Sequence, residues 1–215
     1  MTIALIGSGS WGTAVAGLAA EHADVCMWSH SATCAEGINR DHRNPRYLSD
    51  YLLPDNVSAT CDLGGALKGA DGAIFAVPSS FLRGVARDCA PHEAAHHLPE
   101  DAPVLCLTKG IEHGTGLLMS EIIGEECGHP ERIAALSGPN HAEEVCRGGL
   151  SAAVIAAEDP KVAEFFKDSL ISQAFRIYIS NDVVGVEPCG AVKNIIAVTC
   201  GIAAGVGLGD NTLAL

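Results

Sequence analysis

In the stretch "EPCGAVKNIIAV", residues 187–198, Lys193 is the one cation in an otherwise apolar run. An ammonium group in such a setting is expected to be paired, neutralised or chemically employed, because burying an unpartnered charge is costly and favours loss of its proton. The plain structural alternative is a side chain that snorkels from a helix surface to water. A second signature stands near the N-terminus, where Gly7-Ser8-Gly9-Ser10-Trp11-Gly12 follows the apolar run Thr2 to Ile6 and opens a small-residue helix. Strand, glycine turn and helix in that order are the context in which G-x-G-x-x-G holds a pyrophosphate. Gly7 permits the tight turn, Gly9 lets backbone approach the phosphates, and Gly12 lets the helix pack close to the sheet. The first-turn N–H groups of Ser10 and Trp11 then face an anion with the helix dipole behind them.

An acidic residue about 20 positions beyond such a turn would hold the adenosine ribose and select NAD. This chain offers Met27-Trp28-Ser29-His30-Ser31 instead. No carboxylate there repels a 2′-phosphate and His30 could donate to one, so NAD and NADP both remain open. The alternative for His30 is a solvent-facing strand end.

These groups need elements to hold them. Short apolar runs read as strands at Thr2 to Ile6, Val25 to Trp28, Gly72 to Val77, Val104 to Leu107, Ile133 to Leu136, Ala152 to Ala156 and Arg176 to Ile179. Helical stretches intervene at Trp11 to His22, Ser31 to Arg40, Ser79 to Ala90, Leu117 to Glu125, Ala142 to Arg147 and Pro160 to Leu170. The alternation predicts βαβ units: an α/β, doubly wound, Rossmann-type, mostly parallel sheet. Arg43 to Asp55 and Pro91 to Pro103 read as loops. After Asn181 no strand signal returns, and Gly190 to Gly209 is small or apolar all round, which predicts a buried helix. Its uncharged part, Asn194 to Gly209, is shorter than the roughly 20 residues a bilayer needs, so no membrane insertion is expected. The expected domains are 1–182, binding a dinucleotide, and 183–215, the first long helix of an incomplete all-α domain.

Composition narrows the function classes. The chain has 215 residues, 48% hydrophobic and 18% charged, enough for one sizeable core. A formal charge of −13, with 13 scattered Lys and Arg, argues against nucleic acid as a partner. Nine cysteines, an odd number without a C-x-x-C pair, read as small reduced core residues rather than as a disulfide framework or a zinc site. His92 and His96 have i, i+4 spacing, but a solvated loop is the expectation there and no metal is assigned. The chain opens on its first strand without a basic stretch or cleavage site, which predicts a cytoplasmic protein.

Four blocks in order carry a resemblance: "GSGSWGTA" at the turn, "LTKG" at Leu107 to Gly110, "SGPNHAEE" at Ser137 to Glu144 and "CGAVKN" at Cys189 to Asn194, with "NPRYL" and "AVPS" between. Together they resemble the bacterial-type NAD(P)-dependent glycerol-3-phosphate dehydrogenases along the whole chain. The resemblance implies reversible reduction of dihydroxyacetone phosphate to sn-glycerol 3-phosphate, feeding glycerophospholipid synthesis, with Lys193 as general acid and base. It implies substrate contacts at Lys109, Gly138, Asn140 and Lys193. It implies cofactor contacts at Gly7, Gly9, Ser10, Trp11, Gly12, His30, Tyr47, Lys109 and Ala142, with Tyr47 toward the adenine. The chain departs from the family at Asn140 and His141, where Ser or Thr with an aromatic is usual. The family also continues into a helical domain with further substrate contacts, so the chain reads as a cofactor domain with a stump and is expected to turn over poorly alone. A homodimer through 194–215 is one way to cover the apolar helix. Two alternatives stay open: a dinucleotide-binding module without chemistry, and a related two-domain hydroxy-acid dehydrogenase.

Overall fold

The computed structural model describes residues 1–94 and 96–214. Eight strands form one sheet in the order β3-β2-β1-β4-β5-β6-β7-β8. They are β1 (Thr2–Ile6), β2 (Asp24–Trp28), β3 (Val57–Thr60), β4 (Gly72–Phe75), β5 (Val104–Cys106), β6 (Ile133–Ser137), β7 (Ser151–Ala157) and β8 (Phe175–Ser180). All neighbours pair parallel except β6 with β7. The order reverses between β1 and β4, and a doubly wound sheet opens its ligand crevice at that point, outside the carboxyl ends of the strands.

The strands read as near-continuous apolar runs because both faces are covered. Helices α1 (Ser10–Ala19), α2 (Ala32–Asp41), α6 (Ala142–Cys146) and α7 (Pro160–Leu170) close one face over a core that includes Leu5, Met27, Leu136, Ile155 and Phe166. On the other face α3 (Leu63–Leu67), α4 (Ser79–Ala94) and α5 (Met119–Cys127) cover Ile6, Phe75, Leu82, Val104 and Ile122. Local chemistry starts several of these helices. The Asp159 side chain accepts from Lys161 N with Pro160 at the first helical position, and Asp182 accepts from Gly185 N at 2.8 Å.

All seven expected strands form, and β3 and α3 join them. β3 is a four-residue edge strand with Val57 and Ala59 inward, too short and too polar for its alternation to stand out. The reading of Pro91 to Pro103 as loop is corrected at its start, since α4 continues through Pro91 to Ala94. The pair at His92 and His96 spans residue 95, which lies outside the described residues; the rings of His92 and His97 stack 5.4 Å apart.

Helix α8 (Val183–Gly205) is continuous over 23 residues, and a turn at Gly207 leads to α9 (Asp210–Leu213). The expectation of a buried helix is corrected: only Glu187 and Gly190 are buried, and Ile195 is 67% exposed. It packs on β6 and β7 and meets α9, while most of the helix beyond Lys193 is exposed. By length and composition alone α8 is long and apolar enough to cross a bilayer. The cysteine expectation is also corrected, because only Cys34, Cys89 and Cys106 are buried, and Cys61 and Cys189 face solvent.

Candidate functional site

A cleft of about 590 Å³ opens where the sheet order reverses. Its floor is the glycine turn. Gly7 has φ +120°, a conformation that disfavours side chains, and a Cβ on it would lie 2.5 Å from the Ala76 carbonyl oxygen. A Cβ on Gly12 would collide with the Gly7 carbonyl, so this residue serves the close packing of α1 and is itself buried. A Cβ on Gly9 would meet nothing within 4 Å and would project into open space at the N-terminus of α1. No acidic side chain occupies the first turn of α1, where the Ser10 and Trp11 amides lie. The turn therefore fits a pyrophosphate: open space above Gly9, backbone amides and a helix N-terminus.

The walls come from elements far apart in the chain. The cleft is lined by Gly7, Gly9, Trp11, His30, Tyr47, Lys109 and Asn140 among the expected residues, and also by Ser8, Trp28, Arg46, Val77, Pro78, Ser79 and Thr108. Ser10, Gly12, Gly138, Ala142 and Lys193 do not line it; Ala142 is packed in the core at the start of α6. The Ser8 and Ser29 hydroxyls bond at 2.7 Å, tying the turn to the end of β2. The Arg46 guanidinium lies 5.8 Å from the Tyr47 ring centroid.

Sequence reasoning missed Asn44. It is fully buried, and its amide donates to the Ser8 carbonyl at 2.8 Å and to Thr13 Oγ1 at 2.9 Å, while its Oδ1 accepts from the Arg46 and Tyr47 amides. One side chain thus joins the glycine turn to the loop carrying Arg46 and Tyr47. The signal was an Asn before a proline in a loop, which reads as turn chemistry rather than as a long-range tie.

At the other end of the cleft the Lys109 ammonium donates to the Gly138 carbonyl at 2.8 Å. Half-burial, and then repulsion from the nearby Lys193, hold its proton affinity below that of an ordinary lysine. Asn140 donates to the Ala152 carbonyl at 3.0 Å, and its buried Oδ1 accepts no hydrogen bond among the described residues. The loop bearing Lys109 is braced from outside, because Arg83 binds Glu112 through two N–H groups at 2.7 Å and also reaches Glu126.

Lys193 is half-buried on α8, with exposed Val192, Ile195 and Ile196 around it rather than the apolar enclosure expected from the sequence. It stands on the same side of the molecule as the cleft, close enough to Lys109 to repel it. Gly190 makes this approach feasible: a Cβ there would lie 2.5 Å from Ser137 Oγ and 3.7 Å from Lys109 Cγ.

A family profile described as the N-terminus of NAD-dependent glycerol-3-phosphate dehydrogenase matches residues 2–163, and the C-terminal profile of the same enzyme matches residues 182–215. A glycerol-3-phosphate dehydrogenase (NAD(P)+) of Streptomyces griseus is 46% identical over 211 residues, covering 97% of this chain and 61% of that protein. Among solved structures, the glycerol-3-phosphate dehydrogenase of Coxiella burnetii superposes with a TM-score of 0.85 at 33% identity, over 99% of this chain and 64% of that one. The enzyme of Plasmodium falciparum superposes at 0.89 with 29% identity, over 100% of this chain and 62% of that one. The chain thus spans about three fifths of the length of the curated relatives it matches.

Proposed function

The chain belongs to the NAD-dependent glycerol-3-phosphate dehydrogenase family, and from that premise we propose that its protein interconverts dihydroxyacetone phosphate and sn-glycerol 3-phosphate in the cytoplasm, supplying glycerophospholipid synthesis. The observation that carries the reading is the convergence, at the carboxyl ends of the central strands, of a glycine turn fitted to a pyrophosphate with two neighbouring amines, Lys109 and Lys193. When bound, the nicotinamide dinucleotide gives or takes the hydride.

The chain's own residues do the rest. Gly7, Gly9 and the Ser10 and Trp11 amides hold the phosphates, and Trp11, Trp28 and Tyr47 line the cleft along the dinucleotide. Lys109 and Asn140 orient the substrate, with Gly138 supporting the Lys109 ammonium through its carbonyl. Lys193 gives a proton to the forming alkoxide and recovers it in reverse. Residues 1–182 form the cofactor domain, and 183–215 begin the helical substrate domain, which pairs two copies through 194–215.

His30 and Arg46 face the cleft near the end of β2, where an NAD-selective site would carry a carboxylate. This favours NADP. Arg46→Ala should then weaken NADPH binding more than NADH binding, followed by energy transfer from Trp11 and Trp28.

The deciding experiment is oxidation of reduced dinucleotide by dihydroxyacetone phosphate, against other ketones and keto acids, in a protein extended to the length of the relatives. Activity only with a keto acid would transfer the chain to a different substrate class. Turnover by the 215-residue chain at a full-length rate would refute the need for further substrate contacts. Sedimentation as a stable monomer would refute the pairing.

A further inference from the structure

Two residues of α8 are buried, Glu187 and Gly190, three apart and so neighbours on the helix surface, and Lys193 lies three beyond Gly190. Glu187 is 4% exposed. Its carboxylate accepts from Ser120 N at 2.9 Å and from Ser120 Oγ at 2.5 Å, sitting on the first turn of α5. The groups that face it are the Met119 and Ser120 amides, the Ser120 hydroxyl, the Cys106 thiol at the end of β5 and the Glu121 carboxylate. Among the described residues no cation pairs with it. Burial raises its proton affinity, while the amides and the helix N-terminus favour the charged form.

An acid buried in this way is a costly means of attaching a helix, since an apolar contact of similar volume usually serves stability as well. What a carboxylate adds is direction. It can be satisfied only when α8 presents it to two donors of one residue, and that condition sets the rotation and depth of the helix. Gly190 is the second contact, pressed against Ser137 and Lys109. With both contacts made, Lys193, three beyond Gly190, follows on the flank of α8 next to Lys109.

We propose that Glu187 is a positioning residue: clamped on the start of α5, it orients α8 so that the Lys193 amine is held beside Lys109. The proposal deepens the reading of Lys193 as the group that handles the proton and rests on it for its catalytic consequence. The placement can be tested without turnover.

The experiment is a titration of the Lys109 amine in the 215-residue chain by NMR after reductive methylation with isotope-labelled methyl groups, the signal being assigned through Lys109→Arg. Lys193→Ala should shift the Lys109 titration upward by removing a repelling charge. Glu187→Ala should also shift it upward, toward that value, because Lys193 is no longer held. Loss of the anion alone would shift it downward, so the sign separates the two effects. The double variant should rise no further than Lys193→Ala. Glu187→Gln, which keeps an acceptor for the Ser120 amide but loses the charge, should show no upward shift. If Glu187→Ala fails to fold, Ser120→Ala removes the partner instead and should shift Lys109 in the same direction.

A downward or absent shift in Glu187→Ala, or in Ser120→Ala where that variant replaces it, overturns the proposal. So does a Lys193→Ala chain in which Lys109 titrates as in the parent. If the titrations behave as expected while the extended protein reduces no ketone phosphate, the dehydrogenase reading fails and the positioning role stands.

Discussion

At the scale of single residues, the two amines stand in different settings. Lys109 is tied to the Gly138 carbonyl and lines the cleft, whereas Lys193 lies outside the lining, on a helix that approaches it. Lys193→Ala should therefore leave dinucleotide affinity almost unchanged while lowering turnover of the extended protein by about 10²- to 10⁴-fold, the worth of a positioned acid–base group. Fluorescence titration and steady-state rates separate the two, and equal losses in both would assign Lys193 to binding. A dinucleotide-binding module without chemistry has no use for this residue. Asn44 makes the complementary case. Asn44→Ala orphans the Ser8 carbonyl and Thr13 hydroxyl in the interior, which should destabilise the chain by about 1–3 kcal/mol in denaturant unfolding. It should also weaken NADPH binding, because the turn and the Arg46–Tyr47 loop lose their common support.

At the scale of elements, the glycine turn divides into a ligand-facing and a packing glycine, although both belong to one motif. Gly9→Ala adds a methyl group in open space above the turn, so the fold should tolerate it while dinucleotide binding falls by at least tenfold, about 1.4 kcal/mol. Gly12→Ala drives its methyl group into the Gly7 carbonyl, so stability should fall together with binding. Thermal melts and dinucleotide titrations of both variants check the division. Reversed behaviour would mean that the cleft above Gly9 is not where the phosphates lie. Helix α8 shows the limit of reading an element by its composition. Its uniform apolarity predicts burial, yet among the described residues of the helix only Glu187 and Gly190, in its first turns, are buried.

At the scale of the whole molecule, a carboxylate and guanidinium network braces the Lys109 loop against α4 and α5. Arg83 links Glu112 and Glu126, and Arg87 adds a second link to Glu126. Arg83 together with Thr115 holds the Glu112 carboxyl at a pKa of about 2, and Arg87 and Arg83 hold Glu126 at about 2, against an ordinary 4.5. A depressed carboxyl stabilises the fold above its unfolded value and ceases to do so as pH falls through its folded value. The melting temperature should therefore drop between pH 4.5 and about 2. Glu112→Gln should flatten part of that drop, and an unchanged profile would show that the network contributes nothing.

Much of this was legible in the chain itself, and what was legible is local. Strand and helix type follow from side-chain periodicity over a few residues, the glycine turn from the backbone freedom of Gly7, and the family from four short blocks in order. Seven of the strands and the cleft-lining roles of Gly7, Gly9, Trp11, His30, Tyr47, Lys109 and Asn140 were readable in this way. Edge strand β3 and the five-residue α3 were not, because so few residues carry no period that stands out from their surroundings. Only the tertiary structure decided which distant groups meet: Asn44 with Ser8 across 36 positions, and Glu187 with Ser120 across 67. Such contacts depend on how helices seat on the sheet and on which polar groups are then left to satisfy, and no local pattern encodes a distance between elements.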